Sequence, residues 1–457
     1  RNLRRSGNPV LYFRVRVVLA VSSLQEAKGL YDPGFERDSC GFGLIANLDD
    51  MPSHWVVETA ISALARLTHR GAVAADGKTG DGCGLLLKFP TSFMRAAGEE
   101  LGLKLGARFA AGTVFLSQDD TRAQAARDVI DSAITEVGLE AAGWRVVPTD
   151  PSVCGDEAVR TLPRIEQVFV NAPDGMPRGR FNRRLFLARR KAEKQLGEGD
   201  TYVSSLSSAT ISYKGMIMPG ALPGFYPDLK DPRLETSVCV FHQRFSTNTL
   251  PQWRLAQPFR FLAHNGEINT ISGNRNWAQA RARNFISDKL DDISDLDPII
   301  SLTGSDSSSL DNMLEVLRAG GMDVLQAMRI LMPPAWQTVD DFDPDVRAFY
   351  EFFDCHMEPW DGPAGIVLTD GRYAACSLDR NGLRPARYVI TNDRHLTIAS
   401  EIGVYDYDEK DVVAKGRLGP GEMLAVDLVN GVMLDNEDIH DLLKTRAPYK
   451  KWLKQGV

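Results

Sequence analysis

Cys40 is the cysteine of this chain whose surroundings most favour chemistry. It lies in the stretch ERDSCGFGLIA (36–46), after a short polar run and before an apolar run typical of a strand. A cysteine nucleophile needs a base, an orienting group and donors for an oxyanion. His69, His242 and His264 are candidate bases. Their spacing from Cys40 does not single out any one of them as its partner.

A second arrangement for Cys40 needs no histidine. If the chain began at Cys40, its own α-amino group would take the thiol proton, directly or through water, because a free amine has a pKa near 8. Everything before residue 40 would then have to be removed. On these residues alone the choice stays open between such a nucleophile and a buried structural thiol, the commoner state of a free cysteine.

Composition and charge exclude several classes of function. Of 457 residues, 43% are hydrophobic and 25% charged, as in ordinary globular proteins. The formal net charge of −7 argues against broad binding to nucleic acid or anionic membranes. The six cysteines are scattered, the closest pair being Cys355 and Cys376, so the CxxC spacing of metal and iron–sulfur sites is absent. A reducing cytoplasm is the predicted location.

The first 25 residues differ from the rest. They contain no acidic residue and five arginines, which are Arg1, Arg4, Arg5, Arg14 and Arg16. A secretory signal is disfavoured because two of these arginines interrupt its apolar run. A transit peptide, a disordered extension, a fusion remnant and a misread start remain open.

Alternating strands and helices must position these residues. One helix is predicted after the Cys40 strand, with Ser53 as its N-cap and Gly71 as its stop, and helices dominate 269–355. This order predicts sheets packed together and covered by helices. The predicted strands are CGFGLIANL, CGLLLKF, AGTVFLS, IEQVFVNAP, ATISYKGMIM, TSVCVFHQRFST, FRFLAHNG, AGIVLTD, ARYVI, HLTIAS and GEMLAVD.

One predicted helix, RGRFNRRLFLARRKAEKQL (178–196), is strongly basic. Its long cationic side chains can cover apolar surface with their stems while the charged ends reach water. We therefore interpret it as a solvated helix face rather than as a nucleic-acid site.

Four long motifs resemble one known family. They are LYDPGFERDSCGFGLIANL, ALARLTHRGAVAADGKTGDGCGLLLKFP, FHQRFSTNTLPQWRLAQPFRFLAHNGEINT and GSDSSSLDN, and they occur in the family's order. The chain is thereby identified as similar to the amidotransferase domain of glutamate synthase large subunits, a class II glutamine amidotransferase with an N-terminal nucleophile. The resemblance runs from about Leu30 to the end and leaves residues 1–29 outside it.

The resemblance implies a fold and a domain plan. The expected fold is α+β, a four-layer αββα sandwich of the N-terminal-nucleophile hydrolase type, with two mostly antiparallel sheets between helical layers. Residues 1–39 would be a leader or propeptide and residues 40–430 the amidotransferase domain. Residues 431–457 would begin a linker to central and synthase domains.

The resemblance also assigns chemistry to three residues. Cys40 would attack the side-chain amide of glutamine, form a γ-glutamyl thioester and release ammonia, after which water would release glutamate. The Asn265 side-chain amide and the Gly266 backbone N–H would form the oxyanion site, since neutral donors suit a developing negative oxygen.

Further residues would bind the substrate or shape the site. By the same resemblance, Arg244 would hold the substrate α-carboxylate and Asp306 the α-ammonium, while Arg70 and Asp81 would lie behind them. A guanidinium fits a carboxylate with two parallel hydrogen bonds. The segment TNTLPQW (247–253) resembles a loop that closes over bound glutamine, although core packing is the alternative for its tryptophan.

The resemblance places cofactors and partners elsewhere. No cofactor or metal is expected in this segment, whereas the complete family enzyme carries FMN, a 3Fe–4S cluster and NADPH. The expected partners are L-glutamine, the remaining domains of the large subunit and a small flavoprotein subunit. Two alternatives stay open: a class II amidotransferase of another pathway, and an unprocessed inactive or regulatory form.

Overall fold

The structure is a computed structural model, and it describes residues 40–197, 199–244, 251–282, 285–290 and 296–456. The predicted leader, residues 1–39, lies outside the described residues. Strands form where short apolar runs alternate or are buried on both faces. The strands are β1 (Gly41–Asn47), β2 (Cys83–Lys88), β3 (Phe109–Leu116), β4 (Glu140–Val146), β5 (Arg164–Asn171), β6 (Tyr202–Val203), β7 (Thr210–Gly215), β8 (Val238–Gln243), β9 (Leu262–Gly266), β10 (Ala364–Thr369), β11 (Tyr373–Leu378), β12 (Arg387–Thr391), β13 (His395–Ala399), β14 (Val412–Arg417), β15 (Met423–Asp427) and β16 (Val432–Leu434).

The helices bury apolar stripes against these strands. They are α1 (His54–Arg66), α2 (Thr91–Glu99), α3 (Asp120–Glu136), α4 (Asp156–Arg160), α5 (Arg178–Leu196), α6 (Leu222–Phe225), α7 (Ile271–Arg281), α8 (Asp306–Ala319), α9 (Val324–Leu331), α10 (Pro344–Asp354), α11 (Asn436–Lys444) and α12 (Tyr449–Lys454). Ser53 occupies the predicted N-cap position of α1, and a 3-10 turn carries the chain on to Gly71. Among the described helices, not one has the length and apolar character needed to cross a membrane.

Two antiparallel sheets face each other and form the centre of the fold. One has the strand order β14-β12-β13-β1-β8-β2-β7 and the other the order β16-β15-β11-β10-β9. Their facing sides share a buried cluster that includes Phe42, Leu44 and Val240 from the first sheet and Ala263 and Val367 from the second. Because β1 pairs with β13 on one side and with β8 on the other, its backbone is held near the middle of the larger sheet.

Helices cover the outer side of each sheet. Val57 and Leu64 of α1 pack with Ile45 and other residues on the outer side of the seven-stranded sheet. On the far side, Ile366 of β10 packs in the cluster that also contains residues of α8, α9 and α10. The predicted α+β sandwich, with two antiparallel sheets between helical layers, is confirmed.

A third sheet was not predicted. Four antiparallel strands lie in the order β4-β5-β3-β6. Apart from the short helix α4 between β4 and β5, the chain order β3-α3-β4-β5-α5-β6 gives the split βαβ arrangement of ferredoxin-like units. This unit has its own core, in which Val114 and Val168 of the strands pack against Ile130 of α3 and Leu185 of α5. It is therefore an additional layered unit within the chain.

The interpretation of the basic helix α5 as a solvated face is wrong at Arg189. This side chain is 2% exposed and pairs with Glu193 at 2.6 Å and with Glu315 of α8. Arg189 lies one turn from Leu185 and therefore on the buried face of the helix. A buried guanidinium is tolerated because carboxylates compensate its charge.

The chain continues to be folded beyond residue 430. Strand β16 pairs with β15, and α11 and α12 bury Ile439, Leu443 and Tyr449 in the cluster that includes residues of α10. These elements lie in the stretch that was predicted to begin a linker. A domain boundary near residue 430 stays a prediction.

Candidate active site

Cys40 immediately precedes β1 and is 7% exposed. Side chains alternate along a strand, so Cys40 shares the inner side of β1 with Phe42, toward the second sheet. Burial raises the pKa of the Cys40 thiol to about 12. The positive charges of Arg244 and Arg384 lower this pKa and the negative charge of Asp81 raises it, so charged groups converge on this sulfur from distant parts of the sequence.

Arg244 directly follows β8 and has a strained backbone. Its φ is 84°, in the left-handed region that non-glycine residues rarely adopt. Its N–H donates to the carbonyl oxygen of Gly82 at 2.7 Å, and its side chain is 6% exposed. Such strain costs on the order of 1–3 kcal/mol and is concentrated at functional sites.

Asp81 lies beside Arg244. Its carboxylate Oδ2 is 3.3 Å from Nε of Arg244, and both side chains are 6% exposed. The N–H of Asp81 donates to the carbonyl oxygen of Ala72, which holds the loop before β2. The structure therefore brings these two predicted residues together as a buried ion pair whose charges act on Cys40.

Asn265 and Gly266 end β9. Asn265 is 4% exposed and lies two residues after Ala263, whose side chain packs in the cluster between the sheets, so Asn265 faces the same side. Gly266 has a φ of 144°, and a Cβ at this position would overlap the carbonyl oxygen of Pro363. Glycine is therefore required here by both conformation and space.

Asp306 is the first residue of α8, whose N-cap Ser305 accepts a hydrogen bond from the N–H of Ser308. The Asp306 carboxylate is buried and accepts from the N–H of Ile268 at 2.9 Å and from the N–H of Ser307 at 2.7 Å. These contacts tie the start of α8 to the segment that follows β9. A carboxylate is favoured at this position by the helix dipole.

Arg70 lies on the opposite side of β1 from Cys40. Its Nη2 and Nε donate to Oε2 of Glu401 at 2.6 and 3.2 Å, and its Cγ packs against Gly41. His69 contacts the other oxygen of the same carboxylate at 2.9 Å. The structure therefore places Arg70 next to the residue that follows Cys40, and an ion pair fixes its position.

Comparison of the chain with protein families identifies the family to which this arrangement of residues around Cys40 belongs. The model of the glutamine amidotransferases class-II matches residues 40–452. The chain belongs to the class-II glutamine amidotransferases. The match starts at Cys40, the residue on which the charges described above converge.

Curated relatives of this amidotransferase are glutamate synthases. The chain is 40% identical over 443 residues to the glutamate synthase [NADPH] large chain of Bacillus subtilis, covering 96% of this chain and 29% of that protein. It is 42% identical over 430 residues to the corresponding large chain of Azospirillum brasilense, covering 93% and 28%. The chain thus spans less than a third of the length of these relatives.

Solved structures give a weaker comparison. A structure of the allosteric regulatory enzyme of purine biosynthesis has a TM-score of 0.41 and 12% identity, covering 87% of this chain and 48% of that one. A glutamine phosphoribosylpyrophosphate amidotransferase from B. subtilis has a TM-score of 0.30 and 14% identity, covering 71% and 48%.

Two charged residues of this amidotransferase were missed by sequence reasoning. Glu401 holds Arg70 and His69, and Arg384 acts electrostatically on Cys40. No pattern in the sequence around Glu401 indicates its role. That role arises because Glu401, just after β13, meets Arg70 and His69, which follow α1, only in the folded chain. For Arg384 a signal existed in the stretch LDRNGLRP, where Asp379 and a glycine predict a tight turn that ends in an arginine.

The candidate histidine bases have other partners. The ring Nε2 of His242 contacts the carbonyl oxygen of His264 at 3.1 Å, and Nδ1 of His264 contacts the hydroxyl of Ser307 at 2.8 Å. Burial lowers the pKa of His242 to about 3 and also lowers the pKa of His264, so both rings are neutral at pH 7. His69 is largely exposed and pairs with Glu401.

Part of the predicted closing loop, residues 247–250, lies outside the described residues. Trp253, at the loop's end, is buried and donates its indole N–H to the carbonyl oxygen of Ala158 at 3.2 Å. Its ring packs against Phe115 and Phe225. Core packing therefore accounts for this tryptophan, and the loop assignment stays a prediction.

Proposed function

We propose that this amidotransferase domain hydrolyses L-glutamine with Cys40 as an N-terminal nucleophile and supplies ammonia to a glutamate synthase. The observation that carries the proposal is the position of Cys40, at the start of a central strand, under the electrostatic influence of Arg244, Asp81, Arg384 and Asp306. The long matches to glutamate synthase large chains support the choice of pathway.

The first half of the reaction would begin with proton transfer from the Cys40 thiol to its own freed α-amino group. The sulfur would attack the side-chain amide carbon of glutamine, and the carbonyl oxygen would become an oxyanion. Asn265 Nδ2 and the N–H of Gly266 would donate to this oxyanion, as fixed donors do in acyl transfer. The amine would then return its proton to the leaving nitrogen, which departs as ammonia.

The second half would hydrolyse the γ-glutamyl thioester. Water would attack the thioester carbon after losing a proton to the α-amino group, and glutamate would leave as the sulfur regains a proton. The same amine therefore serves as base and acid in both halves. Exclusion of bulk water by the closing loop would protect the thioester until ammonia has left.

Selection of glutamine would rest on two opposite charges. Arg244 would bind the α-carboxylate and Asp306 the α-ammonium, so that a free amino acid is chosen over a plain amide. This assignment is supported by the strained backbone of Arg244, since strain persists where the surrounding structure holds a side chain in a required place.

Processing would switch the site on. With residues 1–39 attached, the nitrogen of Cys40 is an amide without basicity, and burial keeps the thiol protonated because its pKa is about 12. We therefore propose that the chain as written is inactive and that cleavage of the bond between Ser39 and Cys40 creates both base and nucleophile.

The remaining chemistry would lie in parts of the enzyme beyond this chain. The relatives are more than three times as long as the matched region, which supports further domains that reductively aminate 2-oxoglutarate. We place FMN, the 3Fe–4S cluster and NADPH use there, with a small flavoprotein subunit as partner. A cytoplasmic location is part of this proposal and is supported by six free cysteines.

The test of this function is glutamine hydrolysis by the processed protein and by Cys40→Ala. We expect the substitution to abolish ammonia release while thermal unfolding stays unchanged. Cys355→Ala, which removes an exposed thiol of α10's C-terminal end, is the matched control and should retain full activity. Hydrolysis by Cys40→Ala near the wild-type rate would overturn the nucleophile assignment.

A further inference from the structure

Arg384 is carried by a turn that is anchored to the second sheet. The N–H of Asp379 donates to the carbonyl oxygen of Ala364 at 2.9 Å, and its Oδ1 accepts from the N–H of Ala364 at 3.0 Å. Its other oxygen accepts from the N–H of Asn381, and Gly382 continues the turn with a φ of 58°. Because the turn is fixed on the first residue of β10, the path of Arg384 is fixed as well.

Arg384 crosses the inner side of β10 at Gly365. A Cβ on Gly365 would lie 3.4 Å from Cβ of Arg384 and 3.0 Å from the ring of Phe42. Gly365 is also the cross-strand partner of Asn265. The absence of a side chain at Gly365 therefore leaves room for the base of the Arg384 side chain beside the strand pair that carries Asn265. The charge of Arg384 also acts on Cys40.

The guanidinium of Arg384 lacks a hydrogen-bond or ion-pair partner among the described residues, and its Nε is shielded from solvent. By contrast, Arg380 in the same turn is exposed and pairs with Asp361 at 2.5 Å, and Arg244 pairs with Asp81. Arg384 is therefore a cation beside the site whose charge is not compensated by a neighbouring carboxylate.

The other ionisable groups around Cys40 are each held by a partner. From the ends of β8 and β2, Arg244 and Asp81 form a pair, and from α8 the carboxylate of Asp306 is held by backbone N–H groups. On the outer side of β1, Arg70 pairs with Glu401.

The histidines near Cys40 add no charge. His242 on β8 and His264 on β9 are neutral at pH 7 because burial lowers their pKa values. His69 lies on the outer side of β1 with Glu401. At the inner side, Arg384 is thus a cation without an ion-pair partner among the described residues. Its charge lowers the pKa of the Cys40 thiol, as the charge of Arg244 does more strongly, while Asp81 and Asp306 act in the opposite direction.

We propose that Arg384 is a positioning residue of the glutamine-hydrolysing site, whose uncompensated charge favours the proton-free forms of the Cys40 sulfur and of the α-amino group that processing releases. The proposal rests on the proposed function. Arg384 keeps its own proton throughout, because a guanidinium is not deprotonated in proteins. The thiol proton moves to the amine and then to the departing ammonia, and Arg384 makes the free amine available at neutral pH by disfavouring its ammonium form.

The test compares the pH dependence of kcat/KM for processed wild type, Arg384→Gln and Arg384→Lys. In Arg384→Gln the acid limb of the pH profile should move upward by about one pH unit, so kcat/KM at a given pH on that limb should fall about tenfold. At high pH, kcat/KM should stay within about threefold of the wild-type value. Arg384→Lys should restore the wild-type limb. Arg380→Gln, from the same turn, should leave it unmoved.

A second readout does not depend on glutamine turnover. Alkylation of Cys40 by iodoacetamide, followed by peptide mass spectrometry against pH with exposed Cys355 as internal reference, should show the same upward shift in Arg384→Gln. If wild type hydrolyses no glutamine, the proposed function fails. The pH dependence of alkylation then still tests whether the charge of Arg384 acts on the Cys40 thiol. Should Arg384→Gln not fold, Arg384→Met provides the neutral variant.

Two results would overturn the role of Arg384. One is a neutral variant whose activity and alkylation profiles keep the wild-type midpoint. The other is a lysine variant that shifts as far as the neutral variant, since the shape of arginine rather than its charge would then matter.

Discussion

The two sides of β1 differ in how their charges are balanced. The inner side carries buried Cys40 and faces Asn265, whose buried Oδ1 has no hydrogen-bond partner among the described residues. Arg384, which acts electrostatically on Cys40, lacks an ion-pair partner among the same residues. These groups face the space between the sheets. Buried polar groups that are left unsatisfied in a folded protein call for an explanation, and binding of a polar substrate provides one here.

The outer side of the same strand is closed. Gly41 is covered by Leu67 and by the stem of Arg70, and the guanidinium of Arg70 donates two hydrogen bonds to Glu401. His69 completes this carboxylate's partners. The contrast teaches that one strand serves two purposes: its outer contacts fix the position of residue 40, and its inner side faces polar atoms of Asn265 and Arg384 that have no hydrogen-bond partner among the described residues. Substitutions on the two sides should therefore have different effects.

The largest effect is expected on the inner side. Asn265→Ala removes one proposed oxyanion donor and should lower kcat by about 10²- to 10³-fold with little change in KM, because the interaction forms in the transition state. Steady-state ammonia release measures it. Asn430→Ala, in an exposed turn, is the control and should keep wild-type kinetics. A loss shared equally by both variants would contradict the role of Asn265.

A smaller effect is expected at the strand ends. Arg244→Ala should chiefly raise KM for glutamine, by about 10- to 100-fold, since a charge-assisted contact with the α-carboxylate contributes about 1.5–3 kcal/mol. Initial rates across glutamine concentration measure it. Arg372→Ala also removes an arginine–aspartate pair, with Asp427, and should leave KM unchanged. An unchanged KM in Arg244→Ala would remove Arg244 from the pocket.

The smallest effect on activity is expected on the outer side. Glu401→Gln should change kcat/KM by less than about threefold but lower the free energy of unfolding by about 1–2 kcal/mol, because Arg70 loses a charged acceptor. Asp406→Asn removes a more exposed pair, with Arg66, and should change stability less than Glu401→Gln does. A tenfold loss of activity in Glu401→Gln would contradict the division between the two sides.

The stability effect of Glu401 should depend on pH. Burial raises the pKa of Glu401, but the hydrogen bonds and charges of Arg70 and His69 outweigh it, and the net pKa is lowered. A lowered folded-state pKa means that the stabilisation is complete above the unfolded-state pKa, near 4.3, and is lost as pH falls through the folded-state value. Urea unfolding should therefore separate wild type and Glu401→Gln at pH 7, and the difference should shrink as the pH falls below the unfolded-state pKa.

Much of the sandwich was predictable because its signals are local. The strand that follows Cys40, the helix α1 and the strand that ends at Gly266 each follow from a short apolar pattern. The candidate site residues were predicted from the family motifs in which they occur, because the residue types taken one at a time did not identify them. Their roles stay predictions, and the structure adds where they lie.

The features of the fold and of the site that could not be predicted depend on contacts between distant segments. The buried position of Arg189 requires Glu315 on another helix, and the ferredoxin-like sheet requires pairings that its short strands do not specify. The left-handed backbone of Arg244 and the approach of Arg384 through Gly365 are likewise consequences of packing. Tertiary contacts of this kind override local propensity and leave no periodic signal in the sequence.

The central claim is that Cys40 works only as the first residue of the chain. The most direct test measures glutamine hydrolysis by the 457-residue chain and by protein that starts at Cys40, with the start of each verified by intact mass. We expect hydrolysis only from the protein that starts at Cys40, because only there does a free α-amino group lie beside the sulfur. Equal hydrolysis by protein whose mass shows all 39 preceding residues still attached would contradict it.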